Sequence, residues 1–285
     1  MSHLKCIKPQ PLLTAITFLM MSSNCYAFEI YVNLPYRELP SSSQPQNSLT
    51  KIYNDHNIKK INLIYDDRLL TMPVHSTDKK DALVAPQKIY SAANKDFHHR
   101  DSLVSLDLES WNRFDAQTPA KIVNVLRAYR TASPNAVIGL YATVPQNTYK
   151  WDPAKVSFYN KMNKQYTDVA YEVDYFSPSL YNYSGKDFPN WLEGAKYNVI
   201  AAKKYSTKKK VIPYITPEVF DDGITSWLSY DEMLMRLKAL DALGVDGCII
   251  WGSSQSRNTL GRKPVLDPES GWFKAVLDFS KMQNR

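Results

Sequence analysis

Apolar, β-branched and aromatic residues gather in seven short runs along the chain, at 28–34, 61–65, 102–109, 136–142, 175–181, 210–215 and 247–251. Their length and their content of Val, Ile, Tyr and Trp predict β-strands. Helical patterns lie between most of them. Thr118-Pro119 and Asp152-Pro153 each put proline where a helix would begin. Ser229-Tyr-Asp-Glu232 reads as a capping box, followed at helical spacing by Met233, Leu234, Leu237, Leu240 and Leu243. Strands alternating with helices predict βα units and a parallel sheet, so the fold class is α/β. Seven strands over residues 28–285 fit one distorted TIM-like β/α barrel better than two domains. Two stretches break the rhythm: a Pro/Ser/Gln-rich loop at 40–46 and a long polar segment at 73–93. Both follow strands, and in a parallel barrel such loops lie on the face where active sites are built.

Residues 1–27 are expected to be a signal peptide outside the fold. Lys5 and Lys8 precede an apolar stretch at 12–21 that is too short to span a bilayer, and Asn24-Cys25-Tyr26-Ala27 supplies a small-residue cleavage site. Asn24 is a poor residue before a lipidated cysteine, so a lipid anchor at Cys25 is disfavoured. Export to the periplasm or outside the cell, with no stable membrane anchor, is the expectation. Losing Lys5 and Lys8 takes the net charge from +7 to +5. Of three cysteines only Cys248 remains, which rules out an intramolecular disulfide in the processed chain.

Composition narrows the picture further. A hydrophobic fraction of 44% against 22% charged residues is globular, not disordered. Only 9 glycines argue against a Gly-rich phosphate-binding fold, and 19 tyrosines suit a surface on which sugars stack. No repeat suggests a solenoid or propeller.

The chemistry concentrates in Ser105-Leu106-Asp107-Leu108-Glu109-Ser110-Trp111. Side chains alternate along a strand, so Ser105, Asp107 and Glu109 share one face while Leu106 and Leu108 share the other. Packing the leucines against helices turns both acids into the barrel, with Cα atoms ~6.5–7 Å apart. Mutual repulsion then raises one pKa, which is useful where a carboxyl must stay protonated to act as an acid. The bland alternative is a pair neutralised by a Lys or Arg across the barrel. Other strand ends carry Tyr31 and Asn33, Tyr65-Asp66, Ser179 and Tyr181, and Trp251 before Ser253-Ser254. Aromatic rings at a barrel mouth offer flat faces for a pyranose and polar handles for its hydroxyls.

In order along the chain, Tyr31-Val-Asn33-Leu-Pro35, Ile64-Tyr65-Asp66, Asp107-Leu-Glu109-Ser-Trp111, Gly139-Leu-Tyr141, Pro178-Ser-Leu-Tyr181, Lys209-Lys-Val-Ile-Pro213-Tyr214 and Leu243-Gly-Val-Asp-Gly247-Cys-Ile-Ile-Trp251-Gly-Ser-Ser254 resemble the hyaluronidase family of venoms and mammals. The resemblance implies an endo-β-N-acetylhexosaminidase acting on hyaluronan- or chondroitin-like glycosaminoglycans by substrate assistance. It implies that Asp107 polarises the substrate acetamido group and that Glu109 protonates the leaving oxygen. It further implies that Tyr181 holds the acetamido group, that Trp251 walls the sugar subsite, and that Tyr65, Asp66 and Ser253 or Ser254 make further contacts. The sequence departs from the family in having Asn112 where an Arg usually follows the Trp, with Arg113 one place on. Tyr149 is the nearest counterpart of another family tyrosine, and no Arg occurs from 182 to 200. The family disulfides are absent.

Two other readings stay open: a glycan-binding barrel that has lost turnover, and a chitinase-like hydrolase of neutral N-acetylglucosamine polymers. A cationic balance suits a polyanion, although Lys203-Lys204 and Lys208-Lys209-Lys210 read more simply as a solvated helix end. No nucleic-acid-reading motif accompanies the charge. The five histidines lack ligand spacing and His98-His99 are adjacent, so neither metal nor cofactor is expected. The chain is expected to act as a monomer.

Overall fold

The computed structural model describes residues 28–38, 49–95, 103–221, 224–258 and 261–283. The expected leader, the loop at 40–46 and His98-His99 lie outside the described residues. Nine parallel segments frame the site: β1 Glu29–Asn33, β2 Ile58–Lys60, β3 Asn62–Tyr65, β4 Val104–Asp107, β5 Ile138–Leu140, β6 Tyr175–Phe176, β7 Lys210–Val211, β8 Tyr214–Ile215 and β9 Gly247–Trp251. β1 lies between β9 and β2, with Tyr31 opposite Ile249 and Lys59. β4 lies between β3 and β5, with Ser105 opposite Leu63 and Gly139. β6 pairs with β7, and β8 with β9.

These ladders form separate sheets, and no sheet among the described residues closes on itself. Single bridges, Tyr141 to Ser177 and Ser179 to Tyr214, link neighbouring ladders. The interruptions have local causes. Pro178 follows β6 closely and Pro213 separates β7 from β8, and proline has no amide hydrogen to donate to a ladder. At Ile61 the chain changes partner: Ile61 N donates to Val32 O, whereas Asn62 N donates to Leu103 O.

Eight helices accompany the strands among the described residues: α1 Leu49–Asp55, α2 Pro86–Lys95, α3 Thr118–Ala132, α4 Val156–Gln165, α5 Thr167–Glu172, α6 Phe188–Tyr205, α7 Tyr230–Ala242 and α8 Gly271–Gln283. Pro119 lies in the first turn of α3, and the full capping box of Ser229 and Glu232 opens α7. Asp152 caps a 3₁₀ turn, Pro153–Lys155, which then leads into α4. The segment at 73–93 is more structured than its polarity suggests. Leu83–Val84 pairs antiparallel with Leu70–Thr71, and α2 follows, burying Ile89, Ala92 and Ala93. That i, i+3, i+4 triad is small enough to be hidden in a polar average.

Strand alternation divides the interior into two layers. Ile30, Val32, Leu106, Phe176, Ile215, Cys248 and Ile250 belong to the larger core with the helices. Tyr31, Tyr175, Tyr214 and Ile249 belong to a smaller cluster against which Tyr141, Tyr181 and Trp251 pack. This inner layer is aromatic, and Gly139 makes room for it. A Cβ there would lie 2.3 Å from the Tyr175 ring, which crosses above it to donate its hydroxyl to Val104 O at 2.9 Å. Cys248 is a buried free thiol whose pKa burial pushes up.

The lysine run lies at the N-terminal end of the strands, away from the two acids. Lys210 and Lys59 both pair with Glu29 at the start of β1, at 2.6 and 2.8 Å. Lys209 Nζ donates to the carbonyls of Ala170, Tyr171 and Val173 at the end of α5, where a cation also suits the helix dipole. Lys203 Nζ bonds to the carbonyls of Leu243 and Gly244 beyond α7.

Candidate active site

The leucines of the Asp-x-Glu segment do face the packed layer: Leu106 and Leu108 are buried. On the opposite face Ser105 accepts a 2.7 Å hydrogen bond from Tyr214 OH, which fixes the floor beneath Asp107. Asp107 and Glu109 then line one small inner cavity of about 60 Å³ together with Leu63, Tyr141, Tyr181, Tyr214 and Trp251. Glu109, exposed at the rim, also lines an adjoining outer cavity of about 380 Å³. Lys80, Asn112, Arg113, Gln146 and Tyr149 are among the walls of that second space. One carboxyl thus faces both cavities, as a proton donor at a bond spanning them would have to.

Asp107 Oδ1 is buried without a hydrogen-bond partner. Leaving a buried acceptor unpaired costs about 1–3 kcal/mol, so the atom is placed for a donor brought by a ligand. Burial, with the charges of Glu109 and Asp66 adding to it, pushes the Asp107 carboxyl up to about 8. Glu109 is raised too, first by desolvation and then by the charge of Asp66. The value near 8 falls on Asp107, the inner member, where repulsion alone left the protonated partner unspecified. No Lys or Arg forms an ion pair with either acid among the described residues, so the neutralised-pair alternative does not describe them.

Aromatic rings build the wall. Tyr181 and Trp251 stack with centroids 5.5 Å apart and planes 19° apart. Tyr141 lies 5.8 Å from Tyr181 and meets Tyr214 edge-on at 5.0 Å. Trp251 Nε1 points at Tyr65 OH, 3.5 Å away, which is long for a hydrogen bond. Asp66 accepts a hydrogen bond from Ser110 Oγ. Tyr149 stands at the outer cavity with its ring 5.4 Å from the Arg113 guanidinium. Arg113 donates from Nη2 to Asn147 O at 2.8 Å, while its Nε is buried without a partner.

Asp107, Glu109, Tyr181, Trp251, Tyr65, Asp66 and Tyr149 therefore gather at one end of the strands. Ser253 and Ser254 line neither cavity. Ser253 N donates to Glu218 Oε1 at 2.8 Å and Ser253 Oγ accepts from Gln255 N, while the Ser254 carbonyl accepts from Arg257. Both serines shape the turn after β9. Glu218, which also accepts from Tyr36 OH, was missed in the sequence because it lies outside any strand-end motif. Tyr141 and Tyr214 stood in the sequence only within the resembling stretches; what places them at the cavity is register across strands, Tyr214 opposite Ile249 and Tyr141 opposite Ser177. Among the described residues, no cluster of His, Cys, Asp and Glu is arranged to hold a metal ion.

No protein-family model matches the chain, and no curated protein matches it in sequence. Solved structures do match in fold. Bee venom hyaluronidase superposes with a TM-score of 0.56 at 16% identity, covering 90% of this chain and 97% of that one. A second structure of bee venom hyaluronidase, in complex with hyaluronic acid tetramer, gives 0.50 at 17%, covering 90% and 96%. A chitinase from Bacteroides thetaiotaomicron gives 0.50 at 12%, covering 93% and 92%. At such identities the likeness establishes the architecture alone: a mixed α/β fold of the TIM-barrel type.

Proposed function

We propose that the chain is an exported endo-acting glycoside hydrolase that cleaves β-linked N-acetylhexosaminide bonds in hyaluronan- or chondroitin-like polymers by substrate assistance. The observation that carries this reading is the orphaned Asp107 Oδ1 beside Glu109 in an aromatic-walled cleft. In the reaction, the acetamido carbonyl oxygen attacks the anomeric carbon as the glycosidic C–O bond breaks, and Glu109 gives its proton to the leaving oxygen. Asp107 Oδ1 accepts from the acetamido N–H and so holds the carbonyl oxygen toward the anomeric carbon as the group cyclises. Water then attacks the same carbon, its proton passes to Glu109, and the acetamide re-forms. This chemistry needs no second carboxylate facing the sugar from the opposite side, unlike ordinary retaining enzymes. A bound sugar removes water from Glu109 and raises its pKa further.

Tyr181 and Trp251 form the sugar wall in this reading, with Tyr65 at its edge. The leaving-group side occupies the outer cavity beyond Glu109, where Lys80 and Arg113 favour an acidic sugar. The pairwise strand links, followed in order, support one barrel of seven strands. Residues 1–27 would be removed on export. Among the described residues no helix is long and apolar enough to cross a membrane.

A second reading, hydrolysis of neutral N-acetylglucosamine polymers, is favoured by one observation: among the described residues no cation lines the inner cavity. Size analysis of hyaluronan, chondroitin and chitin oligosaccharides after incubation with the protein separates the two. Shortening of the uronate polymers with chitin left intact supports the first; cleavage of chitin alone overturns it.

A further inference from the structure

We propose that Asp66 is a positioning residue for Glu109: a carboxylate fixed by Ser110 beside the chain that carries the acid, and not a group that grips the sugar. Asp66 opens the 3₁₀ turn Asp66–Arg68 directly after β3. Tyr65 is register partner of Asp107 across β3 and β4, so Asp66 emerges beside the chain as it runs on through Leu108 and Glu109. There Ser110 Oγ donates to Asp66 Oδ2. Ser110 is bonded to Glu109 in sequence, so this hydrogen bond ties the Asp66 charge to the backbone of the acid itself. Asp66 lines neither the inner nor the outer cavity. Its neighbour Tyr65, by contrast, reaches toward Trp251.

The groups facing Glu109 come from several elements. Asp107 lies on its own segment and Asp66 on the turn after β3. The cations Lys80 and Arg113 share the outer cavity, and the phenols Tyr141, Tyr149, Tyr166, Tyr181 and Tyr214 share one cavity or the other. Asp66 is the charge that raises the Glu109 pKa, second only to desolvation, and it also raises Asp107. Neutralising Asp66 would remove that charge and leave desolvation alone to hold the Glu109 pKa up.

This inference rests on the proposed acid role of Glu109, and its test has two readouts. The first is the pH profile of kcat/KM for wild type, Asp66→Asn and Asp66→Glu on a cleaved oligosaccharide. Asn is isosteric and can still accept from Ser110, so the fold should survive. The high-pH limb in Asp66→Asn is expected about one unit lower, with KM little changed, and Asp66→Glu is expected to restore it. A rise in KM at every pH with the limb unmoved would make Asp66 a sugar contact and overturn the proposal. A fall in thermal stability with the limb unmoved would make it merely structural and overturn it equally. The second readout is NMR titration of the isotopically labelled Glu109 carboxyl, which requires no substrate. If no polymer is cleaved, the function fails while this titration still decides the inference: a lower Glu109 pKa in Asp66→Asn supports it, and an unchanged one overturns it.

Discussion

The indole of Trp251 and the ring of Tyr181 lie face to face, 5.5 Å between centroids and 19° from parallel. No pyranose can slip between rings this close, so a bound sugar must rest on an outer face or edge of the pair. Trp251 ends β9, and the contact joins it to Tyr181 in the segment after β6, across the top of the inner aromatic layer. Trp251→Ala is expected to weaken oligosaccharide binding by roughly 1–3 kcal/mol, taking base stacking on aromatics as the guide. Calorimetric titration with a non-cleaved oligosaccharide measures this. A loss of thermal stability with unchanged affinity would assign the indole to packing alone.

Asp107 sets function against stability. Its carboxyl is held near 8 in the fold against 3.8 as reference, so the fold favours the protonated form. Stability from that preference is fully present below about pH 4 and is lost as pH rises through about 8. Asp107→Asn removes the ionisation, so the variant should gain relative to wild type on going from pH 4 to pH 8. A gain of about 1–3 kcal/mol is reasonable for relieving a poorly solvated polar group, which is a few degrees in melting temperature. Thermal melts at the two pH values test it, and an equal shift at both would contradict the assigned cause. Turnover should fall in the same variant.

Much of this arrangement could be read from the sequence because it depends on local periodicity. Alternation placed Ser105, Asp107 and Glu109 on one face, and the leucines between them are buried as required. The α7 capping box is likewise local and was legible. What escaped depends on contacts between distant segments. Nothing near Glu218 announces that it will receive Tyr36 OH from one loop and Ser253 N from another. Ser253 and Ser254 stand at motif positions for contacts, yet they line neither cavity, and Ser253 N and Oγ and the Ser254 carbonyl are engaged locally. Nor does composition show that the lysine run is occupied by Glu29 and helix-end carbonyls at the far end of the strands.

Arg113 is the residue on which substrate charge should depend. It flanks the outer cavity with a buried, unpaired Nε, and Lys80 lines the same space. Arg113→Gln is expected to lower kcat/KM on hyaluronan or chondroitin about tenfold and to flatten its fall with added salt, as loss of a rim cation does. Neutral oligosaccharides should be affected little. A loss equal on neutral and anionic substrates would mean that Arg113 holds the loop through Asn147 and does not read charge.

Glu109→Gln keeps the shape of the side chain and removes its proton. Turnover is expected to drop by ~10²–10⁴ or more, the usual worth of general acid help, with oligosaccharide affinity and melting temperature near wild type. Wild-type turnover in this variant would exclude Glu109 as the acid.

Substrate assistance is tested most directly by comparing turnover of hyaluronan oligosaccharides with that of the same oligosaccharides after removal of their N-acetyl groups. If the acetamido oxygen is the nucleophile and Asp107 its partner, the de-N-acetylated chains should bind the cleft but release no detectable product, while the acetylated chains are cleaved with the anomeric configuration retained. Comparable cleavage of both would contradict the mechanism assigned to Asp107 and Glu109.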